Sequence, residues 1–311
     1  MSSISSSTGI LACVVFISQL SCARHYHAQG IVLSVDRQTQ TVTISHRAIP
    51  GYMEAMAMQF HAEGSQDLSG LTPGSRIAFQ LKVTRRAATV RHIHVEQIAA
   101  SDVPLPKPEG QVSIGEALPD FTLTDQDGRA VTLSDFRGRL VAVDFIYTRC
   151  PLPNVCPMLS ANFARLQKRF GGKITLLSIT LDPQYDTPQV LTDYAQRWRA
   201  DSHTWHFLTG SADEIRKVAG HFGVIFWPEE GAITHTSSTA IIDSTGHLAA
   251  IVEGSSFTSQ QLIDLVQSLS ANILKNAPYG RGWEVEALLN RDRQGAVRPV
   301  FGSRSLTEPR P

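Results

Sequence analysis

Two groups of soft-ligand side chains, far apart in the chain, are the residues best equipped for chemistry. The first is Cys150-Pro-Leu-Pro-Asn-Val-Cys156-Pro, where five residues separate the sulfurs. Such a pair makes a structural disulfide, a redox couple or a metal site. It lies between a continuous apolar run and a segment of helical spacing, so it falls at a helix N-terminus. The partial positive charge there favours thiolate over thiol. A thioredoxin-type redox pair closes a two-residue gap. This longer loop can instead hold two sulfurs around an ion while a third ligand approaches. His235, in Ile233-Thr-His235-Thr just before a second buried segment, is the candidate third ligand. Two thiolates and an imidazole suit Cu(I) and Cu(II) and are poor ligands for Ca or Mg.

The second group is Met53, Met56 and Met58, three of the five methionines within six residues, with His46 upstream. Met56 and Met58 differ by two, so on a strand both side chains leave the same face. Thioethers bind Cu(I) or Ag(I) far better than hard ions, and a histidine on the neighbouring strand can complete the set. The competing reading is that flexible, apolar methionines fill a core. His92 and His94 also share a strand face, but their alternation with Ile93 and Val95 fits a solvated outer surface equally well. His25 and His27, near the start, are similarly weak candidates for Cu(II).

These residues need a scaffold. From Gln29 to Ile98 apolar residues alternate (Ile31, Leu33, Val35; Val42, Ile44; Ile77, Phe79, Leu81, Val83) between turn signals such as Pro73-Gly74, which predicts a small antiparallel barrel. Residues 101–112, with Pro104, Pro106, Pro108 and Gly110, read as a semi-rigid linker. Strands then alternate with helices: a hairpin around Asp127-Gly128 and buried strands at Leu140–Tyr147 and Ile174–Leu181. Helices are expected at Pro157–Phe170, Thr187–Trp198, Ala212–Phe222 and Ser259–Ile273. That order fits a thioredoxin-like α/β sandwich. Beyond Leu274 an Arg-, Gly- and Pro-rich tail offers at most a short helix at Trp283–Leu289.

The chain has 311 residues, enough for two domains with separate cores, and a formal net charge of zero. The charge balance argues against nucleic acid as a partner, since phosphate binding needs a basic surface. Ile10–Leu20 is an apolar stretch of export-signal length followed by Ser21-Cys22-Ala23, although no Lys or Arg precedes it. Residues 1–23 are therefore expected to be a signal peptide, with Cys22 a candidate for lipidation and an N-terminal membrane anchor. An oxidising, periplasmic compartment follows from that reading.

The motifs also carry two resemblances. Asp144-Phe-Ile-Tyr-Thr-Arg-Cys150, Leu181-Asp-Pro-Gln-Tyr-Asp-Thr-Pro188, and His235 followed by Asp243 occur in the order seen in the Sco/SenC copper chaperones, which this chain resembles over residues 113–273. The resemblance implies a thioredoxin fold that binds copper through Cys150, Cys156 and His235 and serves assembly of cytochrome oxidase. The cysteine loop departs from the family by two extra residues. Residues 24–100 look like the CusF-like periplasmic copper-binding domain, which implies Cu(I) held by His46, Met56 and Met58. Met53 stands at about the place of that family's capping tryptophan. One copper ion per domain is expected, with a copper-accepting oxidase subunit or other cuproprotein as partner. The alternative is a thiol–disulfide oxidoreductase acting on a client's copper-ligand cysteines through Cys150 and Cys156.

Overall fold

The computed structural model describes residues 23–85, 87–96, 108, 110–229 and 232–276. The expected export segment with Cys22, most of the linker, and the tail with its Trp283–Leu289 helix lie outside the described residues.

Strands β1 (Arg24–Asp36), β2 (Thr41–His46), β3 (Met56–Ala62), β4 (Arg76–Val83) and β5 (Ala88–Val95) close into a barrel in the order β1-β2-β3-β5-β4. Val32, Val42, Ile44, Phe60, Ile77, Phe79, Leu81 and Val90 fill it. This is the OB-like all-β domain expected.

The second unit is a seven-stranded sheet ordered β14-β13-β8-β9-β10-β6-β7. Its centre is β8 (Leu140–Ile146), β9 (Ile174–Thr180) and β10 (Trp205–Thr209), which run parallel. Strands β6 (Thr122–Asp125) and β7 (Ala130–Thr132) form the hairpin at one edge, and β13 (Ser238–Ile242) with β14 (Leu248–Glu253) the other. Helices α1 (Cys156–Phe170), α2 (Pro188–Trp198) and α4 (Ser259–Asn276) supply the core on one face; α3 (Ala212–His221) covers the opposite face. Every residue of β8 and β9 is buried, as parallel strands between two helical layers must be. The thioredoxin-like order is thus present. A short hairpin that periodicity did not suggest, β11 (Phe226–Glu229) with β12 (Ala232–His235), precedes β13.

Strand β1 contributes side chains to the cores of both units. The register slips between Val32 and Ser34. Val32 points into the barrel, whereas Ile31 and Leu33 pack in the core of the α/β sandwich with α1, α4 and β14. Burying two large aliphatic side chains contributes about 2 kcal/mol each. Polar ties reinforce this seam: the Ser45 hydroxyl donates to Asp264 Oδ2 (2.5 Å) and the Gln261 amide to the Ser45 carbonyl (3.2 Å). The described end of the linker is fixed as well, with Val112 N donating to the His221 carbonyl (3.0 Å).

Candidate metal centres

Strand β8 ends at Ile146 and hands the chain to Tyr147-Thr-Arg-Cys150, so the cysteine loop begins where the sheet stops. The Leu181–Thr187 turn locks this start. Asp186 is buried and accepts from the Thr148 backbone N–H (3.1 Å) and from the hydroxyls of Thr148 and Thr180. Burial pushes its carboxyl up, and the three hydrogen bonds oppose that shift. Arg149 donates to Asp182 (2.6 Å) and lies 4.8 Å above the Tyr185 ring. The Asp-Thr-Pro stretch is therefore a brace for the loop. The signal in the sequence is two carboxylates, Asp182 and Asp186, four residues apart in a short turn.

Cys150 and Cys156 are both free thiols. Cys156 opens α1 and is fully buried, while Cys150 is half-buried. The Cys156 sulfhydryl donates to the Cys150 sulfur, helped by the backbone N–H groups of Leu152 and Cys156 and by the Tyr147 hydroxyl. Cys150 is thereby held down to about 5, against the desolvation that opposes it. Sharing its proton with that sulfur, together with burial, drives the Cys156 thiol far up. Tyr147 is pushed up to about 12, by burial first and then by the neighbouring Cys150 charge. At neutral pH the pair is one thiolate and one thiol, as a helix start produces.

His235 closes β12 opposite Phe226. Its Nδ1–H donates to the Thr236 carbonyl (2.9 Å), which leaves Nε2 with its lone pair. Burial lowers its pKa, so the ring is neutral and able to ligate. The Tyr147 ring meets it edge-on, with centroids 5.9 Å apart. Tyr147 thus touches both His235 and Cys150. Among the described residues no three His, Cys, Asp or Glu side chains stand close enough to hold an ion. The two sulfurs are together, and the imidazole packs against the edge of the Tyr147 ring.

In the barrel, β2 and β3 pair so that His46 faces Met56 and Ile44 faces Met58. Met56, Met58 and Phe60 alternate along β3, and Phe60 lies in the core, so all three side chains take the interior side near one end. Met53 reaches the same cluster from a turn bridged to Ile49. His46 is buried, and its Nδ1–H donates to the Arg47 carbonyl (2.8 Å). Its Nε2 is buried without a hydrogen-bond partner. A buried imidazole nitrogen without a partner costs on the order of 1–3 kcal/mol, which an ion would offset. Met56 is 45 % exposed, leaving the mouth open at that thioether. The donor set, one imidazole and thioethers, fits a soft monovalent ion. His27, His92 and His94 line an outer groove with Arg47 and Arg91, away from this interior.

A family model described as SCO1/SenC matches residues 112–271. This chain belongs to the SCO1/SenC family. A second model, the copper binding periplasmic protein CusF, matches residues 25–95, so one polypeptide joins the two. The SCO1 protein homolog of Bacillus subtilis is 32 % identical over 133 residues, 40 % of this chain and 68 % of that protein. The structure of BsSco, titled a member of the Sco family of cytochrome c oxidase assembly proteins, is 30 % identical (TM-score 0.44, 51 % of this chain, 98 % of that one). Bradyrhizobium japonicum ScoI, solved with copper bound, is 29 % identical (TM-score 0.40, 49 % and 98 %).

Proposed function

We propose that this SCO1/SenC chain is a periplasmic copper carrier with two sites, Cys150, Cys156 and His235 in the α/β domain and His46, Met56 and Met58 with Met53 in the barrel. The observation that carries this reading is the pairing of a ready thiolate and a neutral, lone-pair-bearing His235 across Tyr147. Copper is the cargo. The Cys150 thiolate is the first ligand to meet it; Cys156 follows on losing its proton to solvent. His235 completes the set once Tyr147 gives up its hydrogen bond to Cys150. Softness of the donors supports Cu(I) over the hard divalent ions. Family membership supports a cytochrome oxidase subunit as acceptor, and the CusF match supports the periplasm. The export signal at residues 1–23 and any lipid on Cys22 belong to the same proposal.

Anaerobic titration with Cu(I) tests it. Wild type should take two ions per chain. Cys150→Ser and His235→Ala should each lose the α/β ion, and Met56→Ala should lose the barrel ion alone. One ion bound in wild type, or no change in the cysteine variant, would refute the assignment. A second reading, a thiol–disulfide oxidoreductase, draws support from the same sulfurs, since a lowered Cys150 beside a proton-retaining Cys156 is the pattern of an attacking and a resolving thiol. Insulin reduction at a rate comparable to thioredoxin would favour it.

A further inference from the structure

Both centres border one short segment. Gly254–Phe257 lies between β14 and α4, and hydrogen bonds tie it to residues within two positions of His235, Cys156 and His46. Gly254 N–H donates to the Ser237 carbonyl (2.7 Å), two residues from His235. The Ser255 hydroxyl donates to the Asn154 carbonyl (3.1 Å), inside the cysteine loop and two residues from Cys156. The Ser256 carbonyl accepts from the guanidinium of Arg47, the residue after His46. The Glu253 carbonyl accepts from Arg76 of β4 (3.3 Å), which is itself paired with Glu96 (2.8 Å). The barrel cannot drift from this position at low cost. Ile31 and Leu33 are sunk in the sandwich core, and Ser45 and Gln261 tie β2 to α4. Gly74 lies so close to β14 that a Cβ there would collide with the Ile251 carbonyl.

We propose that copper passes within one chain, from the barrel ligands His46, Met56 and Met58 to Cys150 and Cys156, because the seam holds donor and acceptor mouths at the same end of the molecule beside Gly254–Phe257. This rests on the two-site reading above. The ion remains Cu(I) throughout, so no electron moves. Its bonds to imidazole nitrogen and thioether sulfur break and two thiolate bonds form. The proton carried by Cys156 leaves to solvent. The direction follows from charge: the barrel offers neutral donors and the loop offers anionic ones, which bind a soft cation more strongly. Fixed docking supplies the high effective concentration that makes such a step unimolecular.

The test uses the full chain. Metal-free protein is mixed anaerobically with one equivalent of Cu(I), and the ultraviolet copper–thiolate band is followed by stopped flow. We expect capture followed by a phase whose rate constant does not change with protein concentration, and which Met56→Ala lacks. A mixture of the barrel-only variant (Cys150→Ser with Cys156→Ser) and the loop-only variant (Met56→Ala) should form the band at a rate proportional to concentration. A concentration-dependent phase in wild type, or a single capture step identical to that of Met56→Ala, overturns the transfer. Binding of only one ion when excess Cu(I) is titrated in, or no thiolate band, instead overturns the two-site reading beneath it. A readout free of copper accompanies these. Amide ¹⁵N relaxation of the metal-free protein should give one tumbling time for barrel and sandwich, and two distinct times would overturn the fixed seam. Gly74→Val should separate them and slow the unimolecular phase roughly tenfold or more while both ions still bind. If that variant fails to fold, Arg47→Gln tests the same contact, and an unchanged rate in a visibly loosened variant overturns the proposal.

Discussion

Replacing Asp144 by asparagine should remove a pH dependence built into the middle of the sheet. Asp144 is wholly buried on β8, on the face shared with Ala142 and Ile146 that looks toward α1, and neither carboxylate oxygen has a complete hydrogen bond. Desolvation raises its pKa from 3.8 to about 7, and the nearby Ser178 hydroxyl offsets only part of that. In the unfolded chain the group ionises near 3.8; in the folded protein it keeps its proton until about 7. The folded state binds more protons across that window, so stability falls as pH rises through it and the loss is complete above the upper value. At 1.36 kcal/mol per pKa unit the full loss is roughly 4 kcal/mol, of which about 2.5 kcal/mol develops between pH 5 and pH 8. Asparagine has nearly the same volume and leaves no cavity, so its cost, whatever its sign, does not depend on pH. Urea unfolding of the metal-free proteins at pH 5 and pH 8 measures the difference. Wild type should lose about 2.5 kcal/mol more than Asp144→Asn over that interval. Parallel profiles for the two proteins would show that the carboxyl titrates normally and that the burial argument fails.

Asp186→Ala should leave the donors of Thr148 and Thr180 unpaired and destabilise the protein by about 3 kcal/mol in chemical denaturation. It should weaken copper binding at the cysteine site while leaving the barrel ion in place, and equal weakening of both would contradict the brace. Alkylation of Cys150 by iodoacetamide should titrate near the lowered value of about 5 and be flat by pH 7, whereas a midpoint near the ordinary 9.0 would contradict the Cys156 hydrogen bond. Ile31→Ala should cost about 3 kcal/mol. Because all four tryptophans lie beyond residue 197, their fluorescence reports the C-terminal half, yet this barrel substitution should shift their unfolding midpoint together with the circular-dichroism midpoint.

Much of this was legible in the residues because local signals and tertiary needs agree. The run Leu140–Tyr147 is apolar throughout because both faces of β8 are covered, and Pro157 stands in the first turn of α1 where a missing N–H costs nothing. Met56 and Met58 reveal a shared face through their spacing alone. Other features needed the third dimension. Ile31, Leu33 and Val35 read as one alternating face, but three consecutive aliphatic residues at 31–33 are what a strand buried on both sides carries: alternation sends Ile31 and Leu33 to the sandwich and Val32 to the barrel, and the slip at Val32/Ser34 turns Val35 to the barrel side. The hairpin that ends in His235 is short and only partly buried, so it leaves no period to read. Asp144 was visible as the one carboxylate in an apolar run, yet its isolation depends on which side chains surround it. The contact of Tyr147 with both His235 and Cys150 is likewise a packing fact with no trace in spacing.

The strand shared by both halves bears on how this protein tolerates being cut. A fragment beginning after the proline-rich connection would retain the whole α/β sheet but lose the two aliphatic side chains that plug its flank beside α4. The vacated recess would open to water as a sticky apolar hollow rimmed by the orphaned polar partners Gln261 and Asp264. Such a fragment should self-associate more readily than the intact chain, which makes the barrel a built-in solubility cover for its larger companion.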